Sequence, residues 1–313
     1  MNPLVKIREV SYLSPTSLSL WKKNQDDYFN RYLAIAMPPR FPQTAPMAVG
    51  SAFDAKVKSY LHERLFGKTS EWSFDKLFED QVAEEQRDKA LATVDDTWAL
   101  YMETGALSEL LLQLDKSILS PHFETRMMKT VTASISTGPP AFVTIMGVPD
   151  LMFQTGDCLV ILDWKVNGYY SQASPRKGYC LCLPDRIAHK DVFVTEHYGI
   201  PMVSAWFEDL YPDWAAQLST YSWLMGHPVG NRVLNVIHQL AFGNNPRVAI
   251  HAGLCSPGFH EALFASYVDL WNRVQSGNIF DEDNEQRCER LNRIAGTMVG
   301  DENATYRELI RGY

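Results

Sequence analysis

The run Cys158-Leu-Val-Ile-Leu is the longest uninterrupted aliphatic stretch of the chain, and it leads straight into Asp163-Trp-Lys165. Such a run reads as an interior strand. An interior strand admits charge only where the charge is paired or bound to a metal, because burying a lone ion costs several kcal/mol. A second acid, Asp150, stands at the rim of another apolar segment, Gly147-Val-Pro-Asp-Leu-Met-Phe. If the turn at Thr155-Gly-Asp closes a hairpin, Asp150 and Asp163 face each other. Two carboxylates so placed raise one pKa and destabilise the fold unless a divalent cation neutralises them, and hard oxygen ligands select Mg²⁺ or Mn²⁺. Lys165, two residues after Asp163, points to the same face. Its amino group can hold or, when neutral, deprotonate a water, or as the ammonium stabilise charge developing on a phosphate oxygen. A plain ion pair between Lys165 and one aspartate would account for the same residues without a metal.

The surrounding periodicities place this pair of strands in a mixed α/β chain. Leu13-Ser-Pro-Thr-Ser-Leu-Ser-Leu-Trp opens a capped amphipathic helix carrying Leu18, Trp21, Tyr28 and Tyr32. After a Pro-rich loop, Gly50-Ser-Ala-Phe-Asp starts a second helix with Phe53, Val57, Leu61 and Leu65 on one face and Asp54 beside that stripe. Two or three helices are expected between Ser70 and Leu114. The segments from His122 to Ser136, Ala141 to Phe153 and Cys158 to Val166 predict a three-stranded meander. Tyr211-Pro-Asp-Trp begins a helix to about Met225, strands follow over Val233 to Phe242 and Arg247 to Ala252, and another helix runs from about Gly258 to Val274. The C-terminal residues read as helical and charged. The expected organisation is one domain over 1–313, with a helical insertion at about 67–120 and a loop-rich insertion at about 167–210.

A net charge of −8 argues against a generally basic nucleic-acid-binding surface but leaves room for a local basic groove, to which Lys56, Lys58, Arg176 and Lys177 would contribute if they are not plain surface. Five cysteines, an odd number without framework spacing, suggest reduced thiols. No apolar run approaches the roughly 18 residues of a membrane span, and Met1 to Glu9 lacks a signal-like apolar region, so a cytoplasmic protein with no membrane partner is the expectation. Nothing resembles a Gly-rich phosphate loop, a His-Glu-x-x-His helix or a nucleophile elbow.

Val148-Pro-Asp150 and Asp163-Trp-Lys165 resemble the paired motifs of the PD-(D/E)XK nuclease superfamily, and the flanking elements resemble its RecB-like branch, which includes phage exonucleases and CRISPR-adaptation exonucleases. In that branch a helix opens with Gly, a small residue, two apolar residues and His. Gly50-Ser-Ala-Phe-Asp54 puts Asp54 at the place of the metal-binding His, and a carboxylate binds the same hard metal. A Gln-x-x-x-Tyr helix follows the Asp-x-Lys strand in the branch, and Gln217-Leu-Ser-Thr-Tyr221 is similar to it, with both residues on one helical face. Where relatives often carry Cys-Pro after the opening helix, this chain has Asn24-Gln25. No C-terminal cysteine trio is present either, so no iron-sulfur cluster is expected.

The resemblance covers about residues 12–66 and 141–252. It implies a restriction-endonuclease-like core, a central mixed β-sheet flanked by helices, with a helical lobe, and a Mg²⁺-dependent nuclease, an exonuclease by preference, acting on DNA in recombination, repair or phage DNA processing. Asp150, Asp163 and Lys165 would be catalytic. Asp150, Asp163, the main-chain carbonyl of Trp164 and Asp54 would hold Mg²⁺ or Mn²⁺, and Gln217 and Tyr221 would contact nucleic acid or orient the site. Tyr169 and Tyr170 are candidates for stacking on unpaired bases, whereas alternation puts the Trp164 side chain in the core. A single-strand annealing protein or a helicase is the partner implied by analogy, and a homo-oligomer such as a ring is compatible. The competing reading is a catalytically inactive nuclease-fold module that binds DNA or assembles other proteins, motivated by Asp54 in place of His.

Overall fold

The structure, a computed structural model, describes residues 8–35, 42–134, 140–156, 158–170, 205–230, 233–242 and 246–280, the backbone of 180–181, 194–197 and 200–203, and residues 282, 285–286 and 289–290. Arg176, Lys177, most of the 167–210 segment and most of the C-terminal residues expected to be helical lie outside these residues.

Helix α1 (Pro15–Lys23) begins where a capping box allows it: Ser14 Oγ accepts from the Ser17 N–H at 3.1 Å, and Ser17 Oγ accepts from the Ser14 N–H at 2.8 Å. The expected continuous helix through Tyr32 is interrupted. Asn24 leaves helical conformation at φ −156° and caps a new turn, α2 (Gln25–Tyr28), by accepting from the Asp27 N–H at 3.1 Å; a π-helical turn over Phe29–Leu33 follows. An Asn side chain that competes for backbone donors is the physical reason for the break. Helix α3 (Ala45–Phe66) starts at Ala45 rather than Gly50, because Pro46 is suited to a first helical turn, and it buries Phe53, Val57 and Leu61.

Three helices, α4 (Phe74–Gln81), α5 (Arg87–Glu103) and α6 (Ala106–Asp115), form the lobe after α3. Small residues Ala48, Ala52 and Ala55 of α3 let Leu77, Phe78, Val82 and Val94 approach closely, which closes a separate apolar cluster under the lobe.

The strands correct the expected meander. They are β1 (His122–Phe123), β2 (Met127–Ala133), β3 (Ala141–Gly147), β4 (Leu151–Thr155) and β5 (Cys158–Asn167). Among the described strands β2 and β3 pair with each other in a two-stranded sheet, and β3 takes one further parallel bridge, from Ile145 to Leu13. The segment read as one strand from Ala141 to Phe153 divides at Val148-Pro149, where proline has no N–H to continue the ladder. β1, β4 and β5 then belong to a six-stranded sheet of order β1-β4-β5-β9-β10-β6, completed by β6 (Cys180–Leu181), β9 (Leu234–Ala241) and β10 (Arg247–Leu254). β7 (Val194–His197) and β8 (Ile200–Val203) pair with each other as a separate two-stranded sheet, with β8 beside β10.

β5 and β9 are parallel and the other pairs of the large sheet are antiparallel, so the sheet is mixed. A parallel pair needs a crossover, and its helices are α7 (Phe207–Leu210) and α8 (Pro212–Leu224). Helix α9 (Pro257–Ser276) follows β10. Leu159 and Ile161 of β5 pack with Leu218, Tyr221 and Leu224 of α8 and with α9, whereas Val160, Leu162 and Trp164 pack with Phe53, Val57 and Leu61 of α3 and with α6. Helices thus cover both faces, which is why β5 carries an almost unbroken apolar run. The expected mixed α/β architecture, a central mixed sheet flanked by helices, is the one observed.

Candidate active site

The β4–β5 hairpin sets the first pair. Thr155 pairs with Cys158 across a two-residue connection in which Gly156 takes φ 53°, the sign that tight hairpin turns require. Leu151 pairs with Leu162, so Asp150, just before β4, comes opposite Asp163 as the hairpin geometry requires. Odd-numbered residues of β5 face α8, which puts Asp163 and Lys165 on that side and Trp164 on the α3 side. The Trp164 ring is core, and its Nε1–H donates to Tyr101 Oη at 3.1 Å.

Asp163 is 4% exposed. Its Oδ1 accepts from Gln217 Nε2 at 3.1 Å, and the same amide nitrogen donates to Tyr221 Oη at 3.1 Å. Asp163 Oδ2 has no hydrogen-bond partner of proper geometry, although the Lys165 ammonium lies 2.5 Å away as an ion pair. Asp150 Oδ2 accepts from the Trp164 backbone N–H at 3.2 Å. The Gln-x-x-x-Tyr spacing on α8 therefore does bring both side chains to the aspartates, one helical turn apart on a shared face. Gly147 makes this approach possible: a Cβ there would stand 2.7 Å from Tyr221 Cε1 and 2.9 Å from Leu224 Cδ1.

From the other layer, α3 delivers Asp54 together with Lys58, which corrects the view of Lys58 as surface or phosphate contact. Lys58 is fully buried, and its Nζ donates to Asp54 Oδ2 at 2.6 Å, Glu124 Oε1 at 2.6 Å and Asp150 Oδ1 at 3.1 Å. Lys56, the neighbouring candidate, instead approaches Asp95 at 3.7 Å and lies over the Phe74 ring. Glu124 carries no motif. It follows β1 in a left-handed conformation, φ 41°, and is also contacted by Gln81 Nε2 at 3.4 Å. The Asp54-x-x-x-Lys58 spacing beside an apolar stripe was the available signal for Lys58; a positive φ at a non-glycine residue leaves none in the sequence.

Charge in this cluster is in excess. Burial, reinforced by the Asp150 charge, pushes both Asp54 and Asp163 up to about 7. Burial alone would lower the Lys58 pKa, but Asp150, Asp54 and Glu124 outweigh it and hold the ammonium above its ordinary value. Burial also raises the Tyr221 phenol. Among the described residues, no three His, Cys, Asp or Glu side chains surround a common point as a ready-made metal cage. The reason is visible in the contacts: Lys58 already stands between Asp54, Glu124 and Asp150. Asp150 and Asp163 present hard carboxylate oxygens side by side, but a cation there would displace partners they already have: Lys165 and Gln217 at Asp163, Lys58 and the Trp164 N–H at Asp150.

Tyr169 and Tyr170 sit just past β5 with rings 5.2 Å apart; Tyr169 Oη donates to Asp96 at 2.9 Å, while Tyr170 is half exposed. The described residues include no helix long and apolar enough to cross a membrane.

No family model and no curated protein matches the chain. Among solved structures, a proposed exonuclease from Eubacterium rectale is similar over 88% of this chain and 85% of its own, at 11% identity and a TM-score of 0.42. The protein SSO0001 is similar over 88% of this chain and 92% of its own, at 9% identity and a TM-score of 0.25. Likeness at these values carries no weight for function.

Proposed function

We propose that the chain is a divalent-metal-dependent nuclease that hydrolyses phosphodiester bonds in DNA, with its centre at Asp150, Asp163 and Lys165. The observation that supports this most is the meeting of these three residues with Gln217 at one end of the β4–β5 hairpin, where Asp163 is buried beside Asp150 and paired with Lys165. Asp150 and Asp163 would hold the ion, with Asp54 beside them. When bound, Mg²⁺ or Mn²⁺ supplies a Lewis acid that offsets charge on the scissile phosphate. Gln217 fixes the Asp163 carboxylate by donating to Oδ1, which leaves Oδ2 to the Lys165 ammonium. Lys165, partly exposed and anchored on Asp163, orients the attacking water and stabilises the developing oxyanion. The resemblance in the paired Asp and Asp-x-Lys motifs is what favours DNA, and an exonuclease, over other phosphodiesters.

Purified protein incubated with end-labelled linear and closed-circular DNA, in Mg²⁺, Mn²⁺ or chelator and beside Asp163→Ala, tests this. Metal-dependent loss of linear DNA that the variant lacks is the expected result. DNA binding with no cleavage in any metal would instead support the inactive module, a reading favoured by the way Lys58 ties up three of the acids.

A further inference from the structure

We propose that Tyr101 is a positioning residue of the active site: from the helical lobe, its hydroxyl holds the Trp164 ring and through it fixes the stretch of β5 that presents Asp163 and Lys165. The proposal rests on the nuclease reading above and gives α5 a part in it.

Strand β5 is held unevenly. Its pairing with β4 covers Cys158 to Leu162 and ends there, whereas its pairing with β9 continues to Asn167. Among the described residues, Asp163, Trp164 and Lys165 therefore have a strand beside them only on the β9 side. On the other side the Trp164 N–H donates to a carboxylate oxygen, Asp150 Oδ2, instead of a ladder carbonyl. A stretch with fewer backbone partners is easier to displace, so side-chain contacts decide how firmly it is held.

Trp164, between Asp163 and Lys165, turns its side chain to the α3 layer and ends in a network of three. Its Nε1–H donates to Tyr101 Oη at 3.1 Å, and Oη lies 2.7 Å from Nδ1 of His238, the residue paired with Trp164 on β9. An indole N–H can only donate, so Oη accepts it, and whichever tautomer the imidazole takes, Oη joins the two rings. Burial pushes the His238 pKa down to about 3, so the ring is a neutral hydrogen-bond partner rather than a charge. All three side chains are buried, beside an apolar cluster that includes Phe53, Leu162, Val236 and Leu240. A polar group deprived of its partner there would have neither water nor a hydrogen bond, which restricts the network to one arrangement. The Tyr101 ring also stands edge-to-face on Phe53, the neighbour of Asp54, with centroids 5.4 Å apart. One phenol thus bears on both the strand and the helix that carry the acids.

Steady-state cleavage of end-labelled linear DNA by the full chain, well below each variant's melting temperature, tests this together with the indole ¹H–¹⁵N resonance of Trp164, assigned by its absence in Trp164→Phe. Tyr101→Phe keeps the ring and removes Oη. It should move that resonance and lower kcat about 10-fold with KM unchanged, and Tyr101→Phe/Trp164→Phe should be no slower than Trp164→Phe alone. His238→Asn, which keeps a hydrogen-bonding atom near the Nδ1 position, should retain kcat, while His238→Leu should lose as much as Tyr101→Phe; this pair carries the test if Tyr101→Phe does not fold. Wild-type kcat in Tyr101→Phe with only a lowered melting temperature, a change confined to KM, or additive losses in the double variant would overturn the proposal and leave the nuclease reading intact. No cleavage by wild type in Mg²⁺ or Mn²⁺ would overturn both.

Discussion

Asp163 and Lys165 are adjacent in space and similar in pairing, yet their removal should have different consequences. Asp163→Asn deletes a carboxylate whose ionised form is disfavoured by burial and by Asp150, so it should abolish cleavage while leaving the thermal midpoint unchanged or raised. Lys165→Met removes the ammonium paired with Asp163, and on the proposed nuclease reading cleavage should fall roughly 10²- to 10³-fold. Rates on end-labelled DNA and melting curves of the two variants check this. Unfolding of Lys165→Met would show that its pairing with Asp163 is structural first. Lys58 differs from both because no solvent reaches it, and its three carboxylates depend on it for compensation.

The elements that carry these residues are positioned by ordinary packing, with one tight constraint. Helix α8 can bring Gln217 and Tyr221 against Asp163 only because Gly147 at the end of β3 has no side chain. Gly147→Ala should therefore destabilise the fold by roughly 1–3 kcal/mol through overpacking, and displace Tyr221. Chemical denaturation and tyrosine fluorescence report the two effects. An Ala variant with wild-type stability would mean that α8 shifts freely. At the other end of the chain, the Asn24 cap divides α1 from α2, and Asn24→Ala should cost about 1 kcal/mol. The same denaturation midpoint reads that loss.

Across the whole molecule, the buried acids couple stability to pH. Asp54 and Asp163 have pKa values near about 7 in the folded chain, against an ordinary value of 3.8. The folded state therefore binds their protons more tightly than the unfolded state does. The stability this brings is full below about pH 4 and is lost as pH rises through about 7. In chelator, the thermal midpoint should decline over that window, less steeply in Asp54→Asn and Asp163→Asn. Mg²⁺ should reduce the decline by compensating the ionised carboxylates. A wild-type profile no steeper than those of the variants would count against buried, ionising acids.

Much of this organisation was legible in local pattern. Alternation along β5 assigned Asp163 and Lys165 to one face and Trp164 to the core, the Thr155-Gly-Asp turn set Asp150 opposite Asp163, and the four-residue spacing on α8 put Gln217 and Tyr221 together, because strand and helix periods are properties of neighbouring residues. What local pattern could not convey was the company that Lys58 keeps. Its contacts with Glu124 and Asp150 span 66 and 92 residues, and Glu124 depends on a backbone angle that no residue type announces. The same holds for the separation of β2 and β3 from the large sheet, where strand-forming residues alone do not choose a partner. Periodicity decides which way a side chain faces, but whether a buried lysine meets solvent, a metal or three carboxylates depends on distant segments packing together, and that decision belongs to the folded chain.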